Sequence, residues 1–173
     1  MTTIDLPPEI ETVFREFRTC EFSTLARDGT PVTWPTAARF QPEPAQFLIT
    51  TSIGQAQKVF HIRRSPRVAL LYSDPTASGL MSPPHVLVQG DAVAPDEIVT
   101  SVDAPEDYRV YLRDNIFRRQ PASEAMSSNA VMRKLFDWYY MRLLILVTPR
   151  AILWWPAGDF AQAAHRLEVN HVG

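Results

Sequence analysis

The chain has 173 residues, a formal net charge of -2 at pH 7, 46% hydrophobic and 21% charged residues. This size fits one domain with a proper core. The charge excludes a whole-domain basic field for nucleic acid, and the apolar content excludes a disordered chain. No apolar run approaches the about 20 residues that cross a bilayer, and the opening MTTIDLPPEIE lacks the basic-then-apolar pattern of a secretory signal. Cys20 is the only cysteine, so no internal disulfide forms, which fits a reducing cytoplasm. It reads as a small buried apolar residue. His61, His85, His165 and His171 lack the spacing of a zinc site, so no metal is expected. The expectation is a single cytoplasmic domain over 1–173 with neither nucleic acid nor membrane as partner.

In chain order, Pro7 and Pro8 suit a helix start, followed by Ile10, Val13, Phe14 and Phe17 at helical spacing. Cys20 to Ala26 predicts a strand, Asp28-Gly29 a tight turn, and Val32 to Phe40 the returning strand. Pro35 inside that return predicts an edge, a bulge or a place where pairing gives way to a ligand. Gln41-Pro42-Glu43-Pro44 turns the chain into the strand Phe47-Leu48-Ile49, which breaks into Thr50-Thr51-Ser52. A short helix follows Gly54 and carries Lys58 near its start; Pro66 stops it, and Arg67 to Tyr72 is a strand. Ser73 to Pro84 reads as a loop and His85 to Gly90 as a strand with a bend at Gly90.

Further on, Pro105 to about Arg119 predicts a helix bearing Tyr108, Tyr111, Leu112 and Ile116 on its apolar face. After a polar linker, Gln120 to Ser128, a second helix starts near Asn129 with Val131, Leu135, Phe136 and Trp138 or Tyr139. Arg142 to Val147 predicts a central strand stopped by Pro149, and Ala151 to Trp155 another strand. The tail to Gly173 is ambiguous, although Phe160, Ala164 and Leu167 can sit on one helix face. The fold class is therefore α+β: a mostly antiparallel, six-stranded, barrel-like sheet with flanking helices and a helical insert over 105–140.

The stretch from Gln46 to Tyr72 carries the chemistry. Hydroxyls at a strand end, a glycine, and a lysine on the first turn of a helix suit a phosphate. The bland alternative is an ordinary strand-helix-strand connection with a solvated lysine. The strand Trp34-Pro35-Thr36-Ala37 can offer free backbone groups to a ring edge, because Pro35 interrupts the ladder. Trp34, Trp154 and Trp155 could stack on an aromatic ring or simply pack. Arg63 and Arg64 read as solvated helix charges.

The Asp28-Gly29 hairpin, the segment KVFHIRRSPRVALLY, the strand HVLVQG and the end AILWWPAGD together resemble the pyridoxamine 5′-phosphate oxidase-like split β-barrel proteins. The resemblance runs from about Cys20 to Gly158. It implies a split barrel, a homodimer, and FMN bound at the subunit interface with a small-molecule substrate. It implies that the strand Trp34 to Arg39 lies beside the ring and that Thr50 and Lys58 bind the cofactor phosphate. It further implies that His85, a substitution, stands where the partner subunit supplies a Gln to the cofactor, that Trp155 matches a partner-subunit Trp beside it, and that His165 or Arg166 falls near a family Arg. The cofactor-binding set is thus Trp34, Pro35, Thr36, Ala37, Arg39, Thr50, Thr51, Ser52, Lys58, His85, Trp155 and Arg166. No catalytic residue stands out, although Arg39, Tyr72 and His85 are candidates to touch a substrate.

The departures are specific. Where the true oxidases carry an Arg-Lys pair at the phosphate, this chain has Gln57-Lys58, and their C-terminal Arg-x-His element is missing from Arg166-Leu167-Glu168. Oxidation of pyridoxamine phosphate is therefore not expected. The expectation is an FMN-dependent oxidoreductase moving hydride to or from a small molecule. The alternatives are a deazaflavin-dependent reductase of the same fold, a non-catalytic flavin- or haem-binding protein, and a structural dimer without cofactor.

Overall fold

Alternating apolar residues pair into a single antiparallel sheet, and the order in which they pair sets the site. The computed structural model describes residues 4–99, 106–111, 114–115 and 141–169. Helix α1 (Pro8–Glu16) precedes the hairpin β1 (Cys20–Leu25) and β2 (Pro31–Thr36). Then come β3 (Arg39–Pro42), β4 (Ala45–Ser52), helix α2 (Gln57–Arg64) and β5 (Arg67–Tyr72). The chain continues through β6 (His85–Val93), β7 (Ile98–Val99), helix α3 (Glu106–Tyr111), β8 (Arg142–Trp155) and β9 (His165–Glu168). Among the described residues, the 9-stranded sheet runs β2-β1-β5-β6-β8-β4-β3, with β7 and β9 also on β8.

Several expectations hold for plain reasons. Pro8 starts α1, and Ile10, Val13 and Phe14 bury its apolar face, each worth about 1.5–3 kcal/mol for a large side chain. Phe14 meets Phe47 edge-on at 4.9 Å, so α1 covers the sheet's inner face. Gly29 turns the first hairpin at φ 85°, and the Asp28 carboxylate accepts from the Thr30 N–H at 3.0 Å. Pro35 sits on β2, which pairs with β1 alone, so the missing N–H costs no ladder bond on the open side. Cys20 is buried, and that burial pushes its thiol up to about 12, so it is not a nucleophile.

Other expectations are corrected. The described residues form one open antiparallel sheet of 9 strands whose terminal strands β2 and β3 do not pair, in place of the expected six-stranded split barrel. The predicted return strand Val32 to Phe40 splits in two at Ala37-Ala38, because β2 pairs with β1 and β3 with β4. Thr50-Thr51-Ser52 does not break β4: all three pair with β8. Pro149 does not stop a strand either. β8 runs unbroken from Arg142 to Trp155, and the register slips between Gln89 and Gly90, leaving Arg150 as the extra residue. Gly90 is required at that slip, since a Cβ there would lie 2.5 Å from the Thr148 carbonyl oxygen. The tail, ambiguous in the sequence, places His165–Glu168 as strand β9 on β8. Tyr72, a candidate for substrate contact, is fully buried among Phe14, Phe17 and Phe47. Of the expected helical insert, α3 and residues 114–115 are described. Leu112, Ile116, the linker and the second helix with Val131, Leu135, Phe136, Trp138 and Tyr139 lie outside the described residues.

Candidate functional site

Lys58 is the second residue of α2, and the turn Ile53–Gln55 folds it back over the end of β4. Its ammonium donates to the Thr51 hydroxyl at 3.1 Å and sits 5.3 Å from the centre of the Trp34 ring. Thr51 in turn donates to the Gln55 carbonyl at 2.9 Å, so this hydroxyl is used up in aiming the lysine. Lys58 is 7% exposed, and no carboxylate pairs with it among the described residues. Burial first, and then the charge of Arg142, lower its pKa.

Arg142 opens β8 opposite Ser52, and its Nη1 lies 3.5 Å from the Thr50 hydroxyl. It too is buried, at 7% exposure. Tyr111 closes the far side: its hydroxyl donates to the Ala37 carbonyl at 2.9 Å, and burial raises its pKa. Together these groups line a cavity of 460 Å³ with Arg18, Thr19, Pro35, Thr36, Ser52, Gln55 and Asn115. The lining includes no acidic side chain among the described residues. Among the described residues, two buried cations with hydroxyls beside an open strand edge are groups that can bind an anion.

No protein-family profile matches the chain, and no curated protein is similar to it. Solved structures are similar in fold. A pyridoxamine 5′-phosphate oxidase-related, FMN-binding protein from Nostoc punctiforme superposes with a TM-score of 0.53 at 15% identity, covering 97% of this chain and 100% of that one. This chain has the pyridoxamine 5′-phosphate oxidase-like fold. An F420 reductase shares that fold with a TM-score of 0.53 and 21% identity, over 85% of this chain and 98% of the other. So does a haem-binding protein from Mycobacterium smegmatis, with a TM-score of 0.55 and 13% identity. Here 95% of this chain matches 60% of that longer one.

On this fold the cavity gathers Pro35, Thr36, Ala37, Thr50, Thr51, Ser52 and Lys58, with Trp34 beneath the lysine. Arg39 does not join them; it lines a neighbouring cavity with Asp114. His85, Trp155 and Arg166 are also elsewhere. Arg142 and Trp155 mark opposite ends of β8, up to roughly 40 Å apart along an extended strand. His85 pairs with Trp155 in the sheet, and both His85 and Trp155 pack against Phe160. Arg166 pairs with Glu168 on β9, while the His165 ring stacks on Trp154 at 5.2 Å. Arg63 bonds the Ala94 and Pro95 carbonyls and pairs with Asp96 at 2.8 Å, away from the cavity.

Sequence reading missed Arg142, Arg18, Gln55, Tyr111 and Asn115. Arg142 is the consequential one, because it supplies a second cation beside Lys58 where the sequence has Gln57. It reads as the first residue of an apolar strand, and only the β4–β8 pairing brings it to Thr50.

Proposed function

We propose that the chain is a flavin-type oxidoreductase whose cofactor phosphate sits between Lys58 and Arg142. The observation that carries this is a buried lysine next to a buried arginine in a cavity whose wall has no acid among the described residues. A phosphate dianion matches that charge, and charge-assisted bonds to it are the strong kind. Thr50 and Ser52 can add hydroxyl bonds, while Thr51 fixes the lysine. The open edge of β2 at Pro35 and Thr36, which line the same cavity, can present backbone groups to a ring system. The bound cofactor, FMN or its deazaflavin counterpart, supplies hydride transfer with a small-molecule substrate. The chain itself binds, orients and dries the site.

Both cofactor classes are represented among proteins of this fold, by the FMN-binding protein and the F420 reductase. The reading includes a homodimer in which His85, Trp155 and Arg166 of the partner subunit complete the site that a single chain leaves open. The test is a fluorescence titration of the protein with FMN, with F420 and with riboflavin, which lacks the phosphate. Lys58→Ala is expected to weaken FMN binding about 10-fold or more, as the loss of about 1.5–3 kcal/mol requires, and to leave riboflavin binding nearly unchanged. An FMN dissociation constant that ignores both Lys58→Ala and Arg142→Gln would overturn the assignment.

A further inference from the structure

A second cavity adjoins the phosphate cavity. Its volume is 430 Å³, and its wall includes Glu11, Phe14, Arg39, Phe40, Asp114 and Asn115. Asn115, 8% exposed, lines both cavities and so forms the partition between them. Phe14 and Phe40, with ring centres 5.4 Å apart, make an apolar floor backed by Phe47. Arg39 rises from β3 at the edge of this floor. Its guanidinium reaches Asp114 only at 4.0 Å, beyond hydrogen-bond range. Among the described residues, the Arg39 side chain therefore makes no hydrogen bond at all.

A guanidinium with unmatched donors, one-third exposed beside an aromatic floor, fits a planar carboxylate on an apolar body. The nearby charges refine the class. Among the described residues, Arg15 and Arg39 are balanced in the wall by Glu11 and Asp114, a set with no net charge to draw in a polyanion. Arg15 is moreover occupied by Glu16 at 2.8 Å. A single carboxylate can displace the long contact to Asp114 and take both faces of the Arg39 fork, while a phosphate dianion would face two acids. The phosphate cavity, with its wall of cations, has the opposite preference.

We propose that this second cavity is the substrate subsite, taking an organic monoacid whose carboxylate pairs with Arg39 and whose apolar body lies on Phe14 and Phe40. Calling that ligand a substrate rests on the cofactor reading above; its binding does not. Calorimetry on the whole protein with 4-phenylbutyrate and with its neutral amide tests it. The acid is expected to bind saturably and at least 10-fold more tightly than the amide. Arg39→Gln should erase that preference, and Arg39→Lys should retain part of it, since charge survives and the fork does not. Inorganic phosphate should leave acid binding unchanged. Equal binding of acid and amide, an unaffected Arg39→Gln variant, or displacement of the acid by phosphate would each overturn the proposal. Acid binding that persists in a protein with no affinity for FMN or F420 would support the subsite while removing the cofactor reading.

Discussion

Lys58 is a charge held where the ligand-free fold gains little from it. Its pKa is lowered by burial and then by Arg142, so the charged form is disfavoured in the folded state relative to the unfolded chain. That destabilisation is fully present below the folded pKa. It fades as pH rises through the folded pKa toward the ordinary lysine range. Stability of the ligand-free protein from this group therefore increases on the alkaline side, and a phosphate bound as proposed would weaken that dependence. We expect Lys58→Met to raise the ligand-free melting temperature at neutral pH by roughly 2–4 °C, for about 1 kcal/mol, and to reduce the stabilisation that phosphate gives. Differential scanning fluorimetry with and without phosphate reads both. A variant that melts below the parent would mean the ammonium is satisfied without any ligand. The lysine and the Thr50–Ser52 hydroxyls were legible because they are close in sequence. Arg142 was not, because its place beside Thr50 is a property of strand pairing.

At the level of elements, local signals read well and pairings read poorly. Asp28-Gly29, Pro8 and Pro66 punctuate the chain where they stand, since each acts through its own backbone. Pro149 misleads for the converse reason. It faces Gly90 across the β6–β8 slip, and that partner, from another part of the chain, is what lets a proline ride inside a long strand. Gly90→Ala would place a methyl 2.5 Å from a backbone oxygen that no rotamer change can move. The expected cost is about 2 kcal/mol or more, visible as a lower urea midpoint with an unchanged slope. A midpoint within error of the parent would show that the slip relaxes freely. The tail was ambiguous because Phe160, Ala164 and Leu167 suit a helix face. The free edge of β8 captures His165–Glu168 as a strand, and Leu167 packs on the core.

Across the whole molecule, one chain brings the cations together and leaves His85, Trp155 and Arg166 at the other end of β8. If each site draws on two chains, defects at the two ends must complement. Lys58→Ala and Trp155→Ala homodimers are each expected to bind FMN weakly. Co-refolded in equal amounts, they should recover parental affinity in roughly one site in four, because mixed dimers carry one site with both native ends. No recovery, or a monomer in sedimentation, would confine the site to a single chain. The fold itself was legible through the order of hairpin, helix and strands. The 9-strand count was not, since β7 and β9 are short pieces recruited by a long neighbour.

The β4–β8 pairing has a consequence for how the protein is made. Lys58 and Arg142 come from opposite halves of the chain, and they become neighbours only when Ser52 meets Arg142 in the sheet. If the cofactor phosphate sits between these two residues as proposed, a nascent chain offers it no docking place until this distant contact has closed. A cofactor bound as proposed would therefore act after assembly rather than as its template, slowing unfolding by binding the folded state alone.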